Sequence, residues 1–411
     1  MEQQGMRKPY LRKPYLRKPY KYQLRPTPEQ EQALATVLWR CRELYNAGLE
    51  ERKAAWERCR VSVTFAMQSA QLPPIKDVRP EYREINAQVL QEVLHRLDKA
   101  FQAFVRRVKA GEQPGYPRLQ GKDRYTSFTY PQVGEHGGAV LDGGILNLSK
   151  IGRIRIRLHR PLQGMPKTVT ISREADGWYA CSSCADVPTE PVPLTGRATG
   201  IDVGLQGFLV RADGEPVENP RHYRRAERQL AKAPRRVSRR KKGSTRRRKA
   251  VALRKRTQQQ VLRQRRDCHH KTALAHVREY DMLYREDLQV RNMARRPDAM
   301  PDGNGGYLKN GASRTAGLNT AIHAAGWYAF RQILACKAAW AGKRGEAIPP
   351  AYTSQECSGC GERVRKRLSV RTHVCPRCGL VLDRDENAAL NILRAGQAPQ
   401  ARTWPGGASV A

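Results

Sequence analysis

Residues Cys375–Ile392 read CPRCGLVLDRDENAALNI. Two cysteines at metal-ligand spacing are followed, after four residues, by Asp383, Asp385 and Glu386, and then by a helix-like run carrying Leu390, Ile392 and Leu393. Soft sulfur selects zinc, whereas hard carboxylate oxygen selects magnesium. One short stretch therefore carries ligands of two kinds, and each kind has a complement elsewhere in the chain.

The sulfur complement is Cys357-x2-Cys360, which completes the pattern Cys357-x2-Cys360-x14-Cys375-x2-Cys378. Two CxxC turns facing each other supply four thiolates at tetrahedral corners, and Gly359, Gly361 and Gly379 suit the knuckle turns. Four thiolates close the coordination shell, so the zinc is expected to be structural. Base deaminases use HxE with PCxxC, and none of the nine histidines here is followed by Glu two residues on. GxxxxGK[ST], HExxH and GxSxG are also absent, which leaves nucleotide hydrolysis, zinc proteolysis and serine-hydrolase chemistry without local support. Of the other cysteines, Cys181 and Cys184 are expected on a strand, on opposite faces, and so share no metal. Cys41, Cys59, Cys268 and Cys336 are scattered and read as buried thiols of a reducing compartment.

The carboxylate complement is spread more widely. Arg197–Val210, RATGIDVGLQGFLV, predicts a strand that delivers Asp202, a tight turn at Gly204 and a return strand; Asp281–Leu288, DMLYREDL, predicts an apolar strand ending in Glu286 and Asp287. Acids at strand ends and at a helix start can converge. Each singly reads equally well as a strand end or a helix cap, as Asp383 or Asp385 could be. Together they suit one or two Mg2+ ions, which stabilise the attacking and leaving oxygens in phosphodiester cleavage.

Charge names the partner class. The 411 residues hold 76 Lys and Arg against 38 Asp and Glu, a formal +38. Such a chain favours polyanions and is expected to bind nucleic acid through counterion release. No run of about 18 apolar residues could span a bilayer, and no apolar segment follows the basic N-terminus as in a secretory signal, so a cytoplasmic, nucleoid-associated protein is expected. The segment 221–266 is the most basic, with 21 Lys and Arg and Glu227 as its one acid. Its Arg239, Arg240, Lys241, Lys242, Arg246, Arg247 and Arg248 are candidate nucleic-acid contacts. So are Arg153, Arg155 and Arg157, which alternate with Ile154, Ile156 and Leu158 along a predicted strand.

Residues 7–20 repeat RKPY three times, and Pro in each unit predicts an extended or disordered arm. Thr27-Pro28-Glu29-Gln30 combines an N-cap, Pro at N1 and Gln at N3, and the 3.6 period behind it includes Leu34, Val37, Leu38, Cys41 and Leu44. A second helix is predicted to carry Ile85, Val89, Val93, Leu97, Phe101 and Phe104, with Gly111 to stop it. From about residue 116 short strands follow, with a hairpin around Asp176-Gly177.

YKYQLRPTPEQ at 20–30, GIDVGL at 200–205, REDLQVRNM at 285–293, TSQECSGCG at 353–361 and CPRCGLVLDRDENAALNIL at 375–393 together resemble the TnpB-like RNA-guided nucleases of bacterial insertion sequences, relatives of type V CRISPR effectors. The resemblance covers most of the chain and implies a multidomain α+β protein. Its expected parts are a basic arm at 1–20; a small β-barrel (wedge) domain at 21–29 and 112–195; a helical recognition domain at 30–111; a RuvC-type, RNase H-like nuclease domain at 196–353 and 380–395; a zinc ribbon at 354–379; and a flexible tail at 396–411. It assigns catalysis and Mg2+ to Asp202, Glu286 and Asp385, with Asp383 as the alternative third acid. It implies DNA cutting beside a transposon-adjacent motif, directed by a transposon-derived noncoding guide RNA, with one protein per guide RNA favoured. The alternatives are a type V CRISPR effector, a carboxylate-triad transposase or recombinase, and a non-catalytic zinc-ribbon regulator.

Overall fold

Thr27 caps a helix as its sequence predicts. In the computed structural model, which describes residues 17–398 apart from 190 and 368, its side chain accepts from the Gln30 amide while the Gln30 side chain accepts from the Thr27 amide. The helix behind it, α1 (Pro28–Cys59), follows strand β1 (Lys18–Arg25). α2 (Phe65–Ala70), α3 (Leu72–Val78) and a 3-10 turn (Pro80–Glu84) lead to α4 (Ala87–Lys109), which packs on α1. The cap of α4 is Asn86, so Ile85 lies before the helix in extended backbone instead of opening it, although it is buried as a core residue.

Six strands follow: β2 (Ser127–Tyr130), β3 (Ala139–Asp142), β4 (Ile145–Leu148), β5 (Gly152–Arg157), β6 (Met165–Glu174) and β7 (Gly177–Ala185). With β1 they form an antiparallel sheet in the order β2-β6-β7-β1-β5-β4-β3. Val133, three residues past β2, makes an isolated bridge to Ala139 of β3. β6 and β7 are the expected hairpin, and Cys184 is buried while Cys181 is half-buried. β5 ends at Arg157, so Leu158 is exposed beyond it. The third RKPY unit is not part of an arm: Lys18–Tyr20 opens β1, Tyr20 pairs with Ser182 and its ring is buried. The first two RKPY units lie outside the described residues.

The chain divides into two compact units at Pro188 and Thr189. The second is built on β8 (Ala198–Val203), β9 (Gly207–Arg211) and β10 (Pro216–Glu218), then α5 (His222–Ser238), α6 (Thr245–Glu279), β11 (Met282–Glu286), α7 (Val290–Met293), α8 (Ala312–Ala325), α9 (Trp327–Trp340) and β12 (Arg344–Ile348). The sheet order is β10-β9-β8-β11-β12, with β8, β11 and β12 parallel and β9 antiparallel to β8. Ile201, Phe208, Leu209 and Leu283 pack with Val277 of α6 and with Phe330 and Leu334 of α9. Tyr284 and Ile348 instead meet Ile392 of α10 (Arg384–Gln397). Both faces of the central strands are thus covered, which accords with adjacent buried pairs such as Phe208-Leu209 and Leu283-Tyr284.

β13 (Thr372–Val374) and β14 (Val381–Asp383) form a hairpin just before α10. The boundary expected at Gly379 therefore falls inside this hairpin, whose second strand runs to the helix cap Asp383. The expected tail also begins later than 396, since α10 continues to Gln397 and buries Gly396; residues 399–411 lie outside the described residues. Cys59 and Cys336 are exposed, contrary to the buried-thiol expectation. Among the described residues no helix is long and apolar enough to cross a membrane.

Candidate active site and metal centre

Strand register places two acids side by side. Ile201 of β8 pairs with Arg285 of the parallel β11, so Asp202 and Glu286 follow at the same level near the C-terminal ends of both strands. The third acid comes from α10, which sits directly on the β8 backbone. A Cβ added at Gly200 would lie 2.0 Å from the Ala389 carbonyl oxygen and 2.6 Å from the Leu393 amide nitrogen. Gly396 has the same role further along, where a Cβ would meet the Tyr284 ring at 2.1 Å. This close seat brings Asp385 to the turn after Asp202, with its Oδ2 3.7 Å from where a Gly204 Cβ would stand.

The convergence has an electrostatic signature. Burial holds the Asp202 carboxyl well above the usual carboxylate range, and the charges of Glu286 and then Asp385 add to that shift, against a smaller pull from Arg384. Glu286 is raised as well, by burial first; the Thr353 hydroxyl, which donates to its Oε1, opposes the rise, while Asp385 adds to it. Asp385 is held by Arg384 at 3.1 Å and Arg371 at 3.3 Å. The remaining acids are engaged elsewhere. Asp383 caps α10, accepting from the amides of Asp385 at 2.8 Å and Glu386 at 3.4 Å. Asp287 pairs with Arg331, and Glu386 lies against the turn at Gly214. Three hard oxygen donors under mutual repulsion suit a divalent cation, which would relieve the charge that burial penalises.

The four cysteines form a tighter set. The sulfurs of Cys357, Cys360, Cys375 and Cys378 all lie within 4.8 Å of one another, and they are the one group of three or more such ligands already gathered among the described residues. Cys357 and Cys378 are 3.6 Å apart and Cys360 and Cys375 3.5 Å, close to the roughly 3.8 Å edge of a tetrahedron with bonds of about 2.3 Å to zinc. Each knuckle turns on a glycine in the left-handed region: Gly361 at φ +78° donates to the Cys357 carbonyl, and Gly379 at φ +74° to that of Cys375. Amides of Cys378 and Arg377 lower the Cys375 thiol to about 7 despite burial. The Leu380 amide pulls Cys378 the same way, but the hydrogen bond to Cys360, burial and bonds to the other two thiols outweigh it and push Cys378 up to about 12. A cation held by the four sulfurs would displace the thiol protons.

Besides the short chain segment from Cys378 to Asp385, two asparagines tie the first CxxC turn to α10. Asn391 donates to the carbonyls of Thr353 at 2.8 Å and Glu356 at 2.7 Å, and Asn387 donates to Glu356 at 2.7 Å and accepts from the Ser358 amide at 2.9 Å. Both asparagines are buried on α10, one turn apart, and they clamp the first zinc knuckle to the helix that carries Asp385. The i, i+4 spacing of Asn in ENAALN was the available signal. Arg371 and Thr353 had none, because their partners lie far along the chain. Of the basic candidates, Arg153, Arg155 and Arg157 share the exposed side of β5, and Arg239, Arg240, Lys241, Lys242, Arg246 and Arg248 are exposed around the α5–α6 turn. Arg247 differs: its guanidinium donates to the carbonyls of Val237 at 2.8 Å and Arg240 at 3.1 Å, closing the end of α5.

Three family models match parts of the chain: "Cas12f1-like, TNB domain" over residues 327–392, "Probable transposase" over 182–296 and "Helix-turn-helix domain" over 16–60. In the last interval the described residues form β1 and the single long α1, not two helices. The chain is 30% identical over 383 residues to "Putative RNA-guided DNA endonuclease InsQ" of Escherichia coli (strain K12), covering 92% of each. It is 35% identical over 390 residues to "Putative RNA-guided DNA endonuclease" of Streptomyces pristinaespiralis, covering 93% of this chain and 90% of that one. A solved Cas12f1-sgRNA-target DNA complex is similar at 16% identity over 93% of this chain and 100% of the other, with a TM-score of 0.34, too distant to carry an argument.

Proposed function

The chain belongs to the TnpB-like family of RNA-guided DNA endonucleases, and from that premise we propose that it is a transposon-encoded, RNA-guided nuclease that hydrolyses target DNA at Asp202, Glu286 and Asp385. The observation that carries the reading is the placement of three acids from separate segments in a chain of net charge +38: strand register sets Asp202 level with Glu286, and the seat of α10 on Gly200 brings Asp385 to the turn after Asp202. Such an arrangement opposes folding unless a cation shares it. The strand order β10-β9-β8-β11-β12, with acids on two adjacent parallel strands, supports the RNase H-like, RuvC-type reading of this sheet.

Asp202, Glu286 and Asp385 would hold Mg2+, which supplies Lewis-acid stabilisation of the attacking and leaving oxygens. Thr353 orients Glu286 by donating to it, and Asp383 fixes the first turn of α10 so that Asp385 faces the β8 turn. Arg371 and Arg384 present guanidinium forks beside Asp385, suited to phosphate oxygens. Zinc at the four cysteines is structural, and through Asn387 and Asn391 the ribbon steadies α10. Base pairing with a guide RNA reads the target, while the protein reads the adjacent motif and backbone shape. The exposed arginines of β5 and the basic α5–α6 turn track phosphates.

The test uses the purified chain with its copurifying RNA, after that RNA has been sequenced and a matching DNA target built. Asp202→Ala or Glu286→Ala is expected to abolish Mg2+-dependent cutting while RNA binding persists. Full cutting by either variant overturns the assignment, and strand-transfer products formed without guide RNA point to a recombinase instead.

A further inference from the structure

Tyr352 stands in the left-handed backbone region at φ +64°, where a bulky side chain is strained. Such a residue persists only where its surroundings over-determine it. Its carbonyl accepts from the amides of Gln355 at 2.8 Å and Glu356 at 2.9 Å, and the Arg363 guanidinium lies 3.3 Å from the centre of its exposed ring. The first zinc knuckle sets Arg363 in place. Glu356 bridges to Arg363, the Cys357 amide donates to the Glu362 carbonyl at 2.8 Å and the Val364 amide to that of Gln355 at 2.9 Å, so the Cys357–Cys360 turn closes a small hairpin. Next to the strained residue, on the side of the carboxylates, is Thr353, which is buried. Its hydroxyl donates to Oε1 of Glu286, while its carbonyl is held by Asn391 of α10, the helix that carries Asp385. One turn therefore touches the zinc knuckle, Glu286 and the Asp385 helix.

We propose that the Tyr352 turn is a zinc-dependent latch on the carboxylates: the closed knuckle presses Arg363 onto Tyr352, the left-handed turn so held keeps Thr353 on Glu286, and loss of zinc releases the turn and withdraws the hydroxyl. Relaxation of Tyr352 to ordinary backbone relieves strain, which gives the turn a second state and sets the direction in which it moves. A hydroxyl donated to Glu286 favours the ionised, cation-binding form of that carboxylate. A ribbon that merely steadies α10 would change stability alone. A latch also changes the affinity of the carboxylates for a divalent ion, and that ion must then strengthen zinc binding by the same factor. Tyr352 and Thr353 are thus positioning residues, and the proposal rests on the reading of Asp202, Glu286 and Asp385 as a cation site.

The probe is Mn2+, which prefers oxygen donors over thiolates and is read by electron paramagnetic resonance. It is titrated into the full chain with its copurifying RNA, zinc-loaded and after treatment with a zinc-selective chelator, and the Asp202→Ala titration is subtracted to remove phosphate-bound ion. Removing zinc should weaken Mn2+ at the carboxylates at least about fivefold, and saturating Mn2+ should strengthen zinc by the same factor in the chelator competition. Thr353→Val, with its zinc retained, should weaken Mn2+ about tenfold and make the remaining affinity indifferent to zinc, whereas Thr353→Ser keeps wild-type behaviour. Tyr352→Asn tolerates the left-handed region, so it should match wild type when zinc-loaded and lose less Mn2+ affinity when zinc is removed. Where depletion unfolds the second unit, zinc-loaded Thr353→Val decides by itself. Equal Mn2+ affinity with and without zinc in a folded chain, or wild-type affinity in Thr353→Val, overturns the latch and leaves the carboxylate site standing. No Mn2+ binding above that of Asp202→Ala overturns both.

Discussion

Asp383 and Asp385 are two residues apart and chemically identical, yet they have different work. Asp383 spends its carboxylate on amides of the α10 first turn, whereas Asp385 faces the β8 turn beside Arg371 and Arg384. Asp383→Ala should therefore cost about 1 kcal/mol of stability, the usual value of a lost N-cap, and leave most cutting intact. Asp385→Ala should barely change the melting temperature and lower the single-turnover cleavage rate at least about a hundredfold, the scale of losing a catalytic metal's charge stabilisation. The reverse ranking would transfer the catalytic role to Asp383. His269, on α6, has a ring that burial keeps neutral, and it carries a pH prediction. Its folded pKa of about 4 lies below the ordinary 6.5, so the folded state binds fewer protons than the unfolded one between those values. Its contribution is complete above pH 6.5 and is lost as pH falls toward 4, at most about 3 kcal/mol. Melting curves across that window should be less steep in pH for His269→Gln than for wild type, and equal slopes would remove His269 from the account.

At the scale of elements, the seat of α10 on β8 sets how near Asp385 comes to the turn after Asp202. No side chain fits at Gly200, because backbone atoms of Ala389 and Leu393 already occupy the position. Gly200→Ala should destabilise the second unit by about 1–3 kcal/mol, as overpacking does. It should also suppress cutting more than an equally destabilising core truncation such as Leu334→Ala on α9, because it moves Asp385 away from Asp202. Parallel cleavage and denaturation measurements on the two variants separate displacement from simple instability. The α5–α6 turn shows the opposite division of labour. Six of its seven basic candidates face solvent, but Arg247 holds the end of α5, so its replacement would unravel the turn as well as remove a charge.

For the whole molecule, the net charge of +38 makes salt the decisive variable. Binding across 6–10 phosphates would lower nucleic-acid affinity about 10³–10⁵-fold between 50 and 200 mM salt. Replacing Arg239, Arg240, Lys241 and Lys242 by Ala should reduce the slope of log K against log salt by about 0.7 for each single-strand phosphate that the turn no longer neutralises. An unchanged slope would show that the turn tracks no backbone. The sequence made the cysteine cluster and the α10 cap legible, because ligand type and short spacing are local: CxxC turns bring their own sulfurs together, and a helix cap announces itself within four residues. The third RKPY unit defied its local pattern for the converse reason. Its Tyr20 is buried by pairing with Ser182, a partner that nothing within residues 7–20 could name. By itself, then, the sequence determined which atoms could bind zinc, magnesium and phosphate. Only the tertiary structure decided that Asp202 stands level with Glu286 and within the electrostatic reach of Asp385, while Asp287 pairs with Arg331 and Asp383 caps α10, because that choice depends on the β8–β11 register and on the absence of a Cβ at Gly200.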